Sequence, residues 1–149
     1  MLRFAVYRDG EVREDLDLSG VYAFGQDGIP VRADLVAEKG RITCIKRMPV
    51  PVGIALLWEA GDSGRFLLPT TRLPDRKEPY ILNLELARAQ IMRIARKRED
   101  WGLFDYDEAE ELNRLFDEAR ATFVRALKAD KPGEAARIAD DALARPSRS

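Results

Sequence analysis

Along the first seventy or so residues, apolar side chains tend to alternate with polar ones, and Gly, Pro and Asp interrupt the alternation at intervals of one strand length. This pattern predicts β structure. Leu2, Phe4 and Val6 share one face of a first strand that turns at Asp9-Gly10, and Val21 to Gly25 forms a short second strand ending before Asp27-Gly28 and Ile29-Pro30. In VRADLVAEKGRITCIKR, a two-residue Lys39-Gly40 loop predicts a hairpin with Glu38 opposite Arg41, Ala37 opposite Ile42 and Leu35 opposite Cys44. The run VGIALLWEA is apolar on both faces, as a central strand would be, and leads through Gly61-Asp62-Ser63-Gly64 to a strand over Arg65 to Leu68.

Beyond the extended segment TTRLPDRKEPY the period becomes helical. Asn83 is placed to cap a first helix with the stripe Leu84, Ala87, Ile91, Ile94 and Ala95, ending near Asp100. Gly102 would terminate it, and Asp107 with Glu110 resembles a capping box for a second helix. The second stripe is Leu112, Leu115, Phe116, Ala119, Phe123, Ala126 and Leu127. After Asp130 and Pro132 a third helix offers a thin stripe of Ala135, Ile138, Ala139, Ala142 and Leu143, which needs a surface to dock on. The predicted class is α+β: an antiparallel β-sandwich or open barrel over 1–80, a helical hairpin plus third helix over 81–145, and a tail over 146–149.

Composition narrows the chemistry. With 149 residues the chain is too short for a complete (β/α)₈ barrel, which needs roughly 250. Lys and Arg number 25 against 26 Asp and Glu, so no global field attracts nucleic acid or an anionic membrane. No signal-peptide core or membrane-length apolar run is visible, which predicts a cytoplasmic protein. No His and one Cys leave neither a disulfide nor the usual ligands of a transition metal, and no cofactor is expected. A Ser-His triad is impossible without His, and no P-loop or G-x-G-x-x-G occurs. The basic cluster Arg93, Arg96, Lys97 and Arg98 is accounted for by the dipole of the helix end, and the acidic residues of helix starts by capping.

Aromatic side chains remain: Tyr22, Phe24, Trp58, Tyr80, Trp101, Phe104 and Tyr106. Sugar rings stack on such groups while paired polar side chains hold the hydroxyls, and the segment from Arg72 to Asn83 supplies polar partners beside Tyr80. Against this, the alternation Val52, Ile54, Leu56 directs Trp58 into a core, and Trp101 and Phe104 could pin the hairpin onto the sheet.

The segment LPDRKEPYILNLELARAQIMRIARKREDWGLFDY, Leu73 to Tyr106, resembles the N-terminal region of planctomycete-type proteins related to glycoside hydrolase family ten, the endo-1,4-β-xylanase-like enzymes, and the likeness extends over nearly the whole chain. In that family a small β domain and helices precede a catalytic (β/α)₈ barrel. The resemblance implies a noncatalytic accessory module, similar to a carbohydrate-binding module, that binds xylan or a related β-glucan. The catalytic glutamates of the family belong to the barrel, which would follow in a longer chain, so no residue here inherits their roles. The expected contacts are Trp58, Tyr80, Trp101 and Tyr106 for stacking and Arg72 and Glu78 for hydroxyl groups. The expected partners are a polysaccharide or oligosaccharide and the barrel. The alternative is an interaction module that packs on the barrel or self-associates through an exposed third helix.

Overall fold

The computed structural model describes the backbone of residues 1–14, 16, 18–47, 50–59, 65–101 and 106–144; the side chains of 98–101, 106–109, 112 and 144 lie outside the description. The strands are β1 (Leu2–Ala5), β2 (Tyr7–Arg8), β3 (Glu11–Val12), β4 (Tyr22–Phe24), β5 (Pro30–Val31), β6 (Ala33–Glu38), β7 (Arg41–Lys46), β8 (Gly53–Glu59), β9 (Arg65–Pro69) and β10 (Tyr80–Ile81). The helices are α1 (Leu82–Trp101), α2 (Tyr106–Lys128) and α3 (Pro132–Ala144).

Turn chemistry sets the hairpins. At Asp9-Gly10 and Lys39-Gly40 both residues have positive φ (52° and 84°, 52° and 75°), which matches the strand twist in a two-residue loop. The second turn fixes the β6–β7 register at Glu38 opposite Arg41, Ala37 opposite Ile42 and Leu35 opposite Cys44, as the alternation predicts. One four-stranded sheet has the order β10-β1-β7-β6 and the other the order β5-β4-β8-β9, with β2 and β3 as a separate hairpin. β8 is internal and buries Gly53 to Leu56 and Trp58, while Leu57 and Glu59 are exposed. The Gly61 to Gly64 turn lies outside the described residues.

One pairing departs from the antiparallel expectation. Residues 70–79 do not form a free linker. Leu73 N–H donates to the Val52 carbonyl at 2.9 Å, and the chain then crosses to the other sheet, where β10 pairs parallel to β1 with Phe4 beside Tyr80. Leu2, Phe4 and Val6, all without exposure, pack in one cluster with Ile54, Leu56 and Trp58 of the second sheet and with Leu82, Leu86, Phe123, Ala139 and Leu143 of the helices. The boundary at residue 80 therefore separates sheet from helix while the core runs across it.

The helices bury most of their predicted faces, with additions and exceptions. Leu82 and Leu86 join the expected Ala87 in the core at the start of α1, with Leu84 and Ile91 partly buried against it; on α2 the expected Phe116, Ala119, Phe123 and Ala126 are buried, while Leu127 is exposed. α2 opens at Tyr106, so Asp107 stands within its first turn; the Gly102 stop lies outside the described residues. The third helix is not exposed along its stripe: Ala135, Ala136, Ala139, Ala142 and Leu143 are buried, and α3 packs on α1, α2 and β2 of its own chain. Self-association through that stripe loses its structural basis.

Asn83 does not cap α1. Its side chain is fully buried and clamps three elements. Oδ1 accepts from Tyr7 N–H (3.1 Å), while Nδ2 donates to the Tyr7 carbonyl (2.9 Å) and to both Asp140 carboxylate oxygens (2.9 and 3.0 Å). Burial pushes the Asp140 carboxyl up to about 7, and Asp9 adds to the rise; the hydrogen bonds from Asn83 and the charge of Arg13 oppose it. Because the folded value is raised, this group stabilises the fold most below the ordinary carboxylate value, and the contribution disappears as pH rises through about 7. Denaturant melts at pH 5 and pH 8 should show lower stability at pH 8, with the difference reduced in Asp140→Asn; an identical pH dependence in the variant would contradict the assignment.

Candidate functional site

A groove of about 1050 Å³ opens where β4, the turn that follows it, the strap of residues 69–74 and α1 meet. Its aromatic side comes from the alternation in Tyr22-Ala23-Phe24. Ala23 points into the core, and Tyr22 and Phe24 share the other face with ring centroids 6.4 Å apart in an edge-to-face arrangement. The residues opposite them on β8 are small, Ala55 facing Tyr22 and Gly53 facing Phe24. A Cβ on Gly53 would stand 2.4 Å from Phe24 Cζ and 2.8 Å from the Thr71 carbonyl oxygen, so only glycine leaves room for both the ring and the strap.

Thr70 fastens the strap to β8. Its N–H donates to the Ile54 carbonyl (2.9 Å), and its hydroxyl accepts from Ile54 N–H (3.1 Å) while donating to the Thr71 carbonyl (2.8 Å). With Thr70 and Leu73 buried, Arg72 and Pro74 face outward. On the β4 side, Asp27 and Gly28 adopt positive φ (60° and 72°), closing a tight turn that brings both to the groove. α1 contributes Ala89, Gln90, Met92, Arg93 and Arg96, with Met92 exposed. The lining thus combines partly exposed rings, neutral hydrogen-bonding groups at Thr71 and Gln90, and three guanidinium groups at Arg72, Arg93 and Arg96.

The residues expected from the sequence to bind a ligand do not converge. Arg72 lines the groove. Trp58 is 4% exposed and belongs to the core, with the Arg13 guanidinium carbon 5.7 Å from its ring centroid. Tyr80 is 6% exposed: its hydroxyl donates to the Pro74 carbonyl (2.7 Å), Arg76 lies over its ring at 3.7 Å, and burial raises its phenol above the ordinary value. Neither ring offers a free face for stacking, which corrects both assignments. Glu78 is exposed outside the groove, where its carbonyl accepts from Arg76 Nε (3.0 Å). The side chains of Trp101 and Tyr106 lie outside the described residues.

Tyr22, Phe24, Arg93 and Arg96 emerge instead. Arg93 and Arg96, assigned from the sequence to a solvated helix end, form part of the groove lining. The available signal was the pair of small residues Gly53 and Ala55 inside an otherwise large apolar strand, since such a gap accommodates rings from the next strand. Glu85 is buried at the start of α1, away from the groove; its carboxyl is raised by burial and pulled back by Arg88, 3.1 Å away. Among the described residues there is no cluster of three metal-ligating side chains, and no helix long and apolar enough to cross a membrane. No protein family, curated protein or solved structure matches this chain.

Proposed function

We propose that the chain is a noncatalytic saccharide-binding module, with xylan or a related β-glucan as the leading ligand and the groove beside Tyr22 as its site. The observation that carries the reading is the joining of an exposed tyrosine edge to Thr71, Arg72 and Gln90 on one open surface. Sugars present C–H faces that favour aromatic contact and hydroxyls that require paired donors and acceptors. Asp27 is the one carboxylate lining the groove among the described residues, whereas glycoside hydrolysis ordinarily uses a pair. A chromogenic xyloside is accordingly expected to give no turnover. Tyr22→Ala, at a position already 37% exposed, should preserve folding and weaken xylo-oligosaccharide binding by about 1–3 kcal/mol, by analogy with base stacking. Calorimetric titration checks this; unchanged affinity would remove Tyr22 from the site.

A second reading draws on a different surface. Leu57 and Leu67 face each other across β8 and β9, and both are exposed. Such a patch suits a module that packs on a catalytic barrel or another subunit. Leu67→Glu should then abolish any association seen by sedimentation over a range of concentrations, while a monomer at every concentration would argue against a second copy as the partner.

A further inference from the structure

We infer that the groove selects a saccharide bearing a carboxylate, a uronic-acid-substituted oligosaccharide rather than a neutral one, an inference that rests on the saccharide reading above. Among the described residues, three guanidinium groups, Arg72, Arg93 and Arg96, line the groove against the single carboxylate of Asp27. The whole chain carries a formal net charge of −1, so this cationic excess is local. Several arginines outside the groove are held in contacts: Arg3 donates to the Lys77 carbonyl, Arg76 to the Glu78 and Pro79 carbonyls, Arg88 to Glu85, and Arg114 to Glu111 and Glu118. Arg72, Arg93 and Arg96 have no such partner among the described residues.

Arg72 reaches the groove from the strap, and Arg93 and Arg96 stand one turn apart on α1. A carboxylate between them can accept charge-assisted hydrogen bonds, bidentate where the planar guanidinium meets both oxygens. Tyr22, Thr71 and Gln90 meanwhile leave surface for a sugar ring and its hydroxyls. That composition favours an acidic sugar over a polyanion held by charge alone, for which the chain's overall balance offers no supporting field.

The test is calorimetric titration of the full chain with a neutral xylo-oligosaccharide, the same oligosaccharide carrying one glucuronic-acid substituent, and polyglutamate. The acidic sugar should bind about tenfold or more tightly than the neutral one. The preference should shrink in 0.5 M salt (about 4 Å screening length) and in Arg72→Gln and Arg93→Gln, but persist in Arg137→Gln, an exposed position outside the groove. Circular dichroism of each variant separates lost binding from lost folding. Equal affinity for the two sugars would overturn the inference and leave the saccharide reading standing. Polyglutamate binding as tightly as the acidic sugar would overturn it in favour of an acidic peptide, and absence of binding by either sugar would remove both.

Discussion

Asn83→Ala is expected to lower the unfolding free energy by roughly 3–5 kcal/mol, because it deprives three polar groups in a buried site of their partners. Tyr7 loses acceptor and donor for its N–H and carbonyl, and the Asp140 carboxylate loses the amide that offsets its burial. Each such group costs about 1–3 kcal/mol when left unsatisfied, and relaxation toward water keeps the total below the sum. The side chain also joins β2, α1 and α3, so its removal should loosen the helices from the sheet. Denaturant unfolding measures the loss. A double-mutant cycle with Asp140→Ala should be non-additive, since either change breaks the Asn83–Asp140 bonds; additive losses would contradict a shared clamp.

Gly133→Ala should be the second large effect, and it pits two magnitudes against each other. In a helix interior alanine is better than glycine by about 1 kcal/mol, so helix propensity alone predicts stabilisation. Here, however, the added Cβ would lie 2.1 Å from the Gly10 carbonyl oxygen, a backbone atom of the tight turn between β2 and β3. Forcing the helix start away from that turn costs about 1–3 kcal/mol as overpacking. The contact outweighs the propensity, and a net loss of up to about 2 kcal/mol in chemical denaturation is expected. A more stable variant would show that α3 does not sit against the turn.

How much of this was readable beforehand depends on the range of each interaction. The Lys39-Gly40 hairpin, the central β8 and the extents of the three helices follow from local turn chemistry and periodicity, and they stand where those rules place them. Trp58 follows the alternation Ile54, Leu56, Trp58 into the core, so the packing pattern prevailed over the attraction of an aromatic as a ligand platform. Asn83 satisfies the local rule for a cap, yet distant groups at Tyr7 and Asp140 claim its side chain. The parallel β1–β10 pair leaves almost no trace in the sequence, because two residues have no measurable period and their partner is over seventy positions away. The groove draws on residues 22–28, 51, 69–74 and 89–96, which no spacing rule links, although Arg72 was already a candidate.

On the proposed function, ligand binds beside Tyr22 and not at the buried Trp58 or Tyr80. Two-dimensional amide NMR with increasing xylo-oligosaccharide, neutral and uronic-acid-substituted, tests it most directly. Saturable shifts concentrated at Gly25, Gly28, Thr71, Arg72 and Gln90 are expected, with the indole N–H of Trp58 unmoved. Shifts centred on Trp58 and Tyr80, or none at the groove with either sugar at millimolar concentration, about 4 kcal/mol of binding at most, would contradict it.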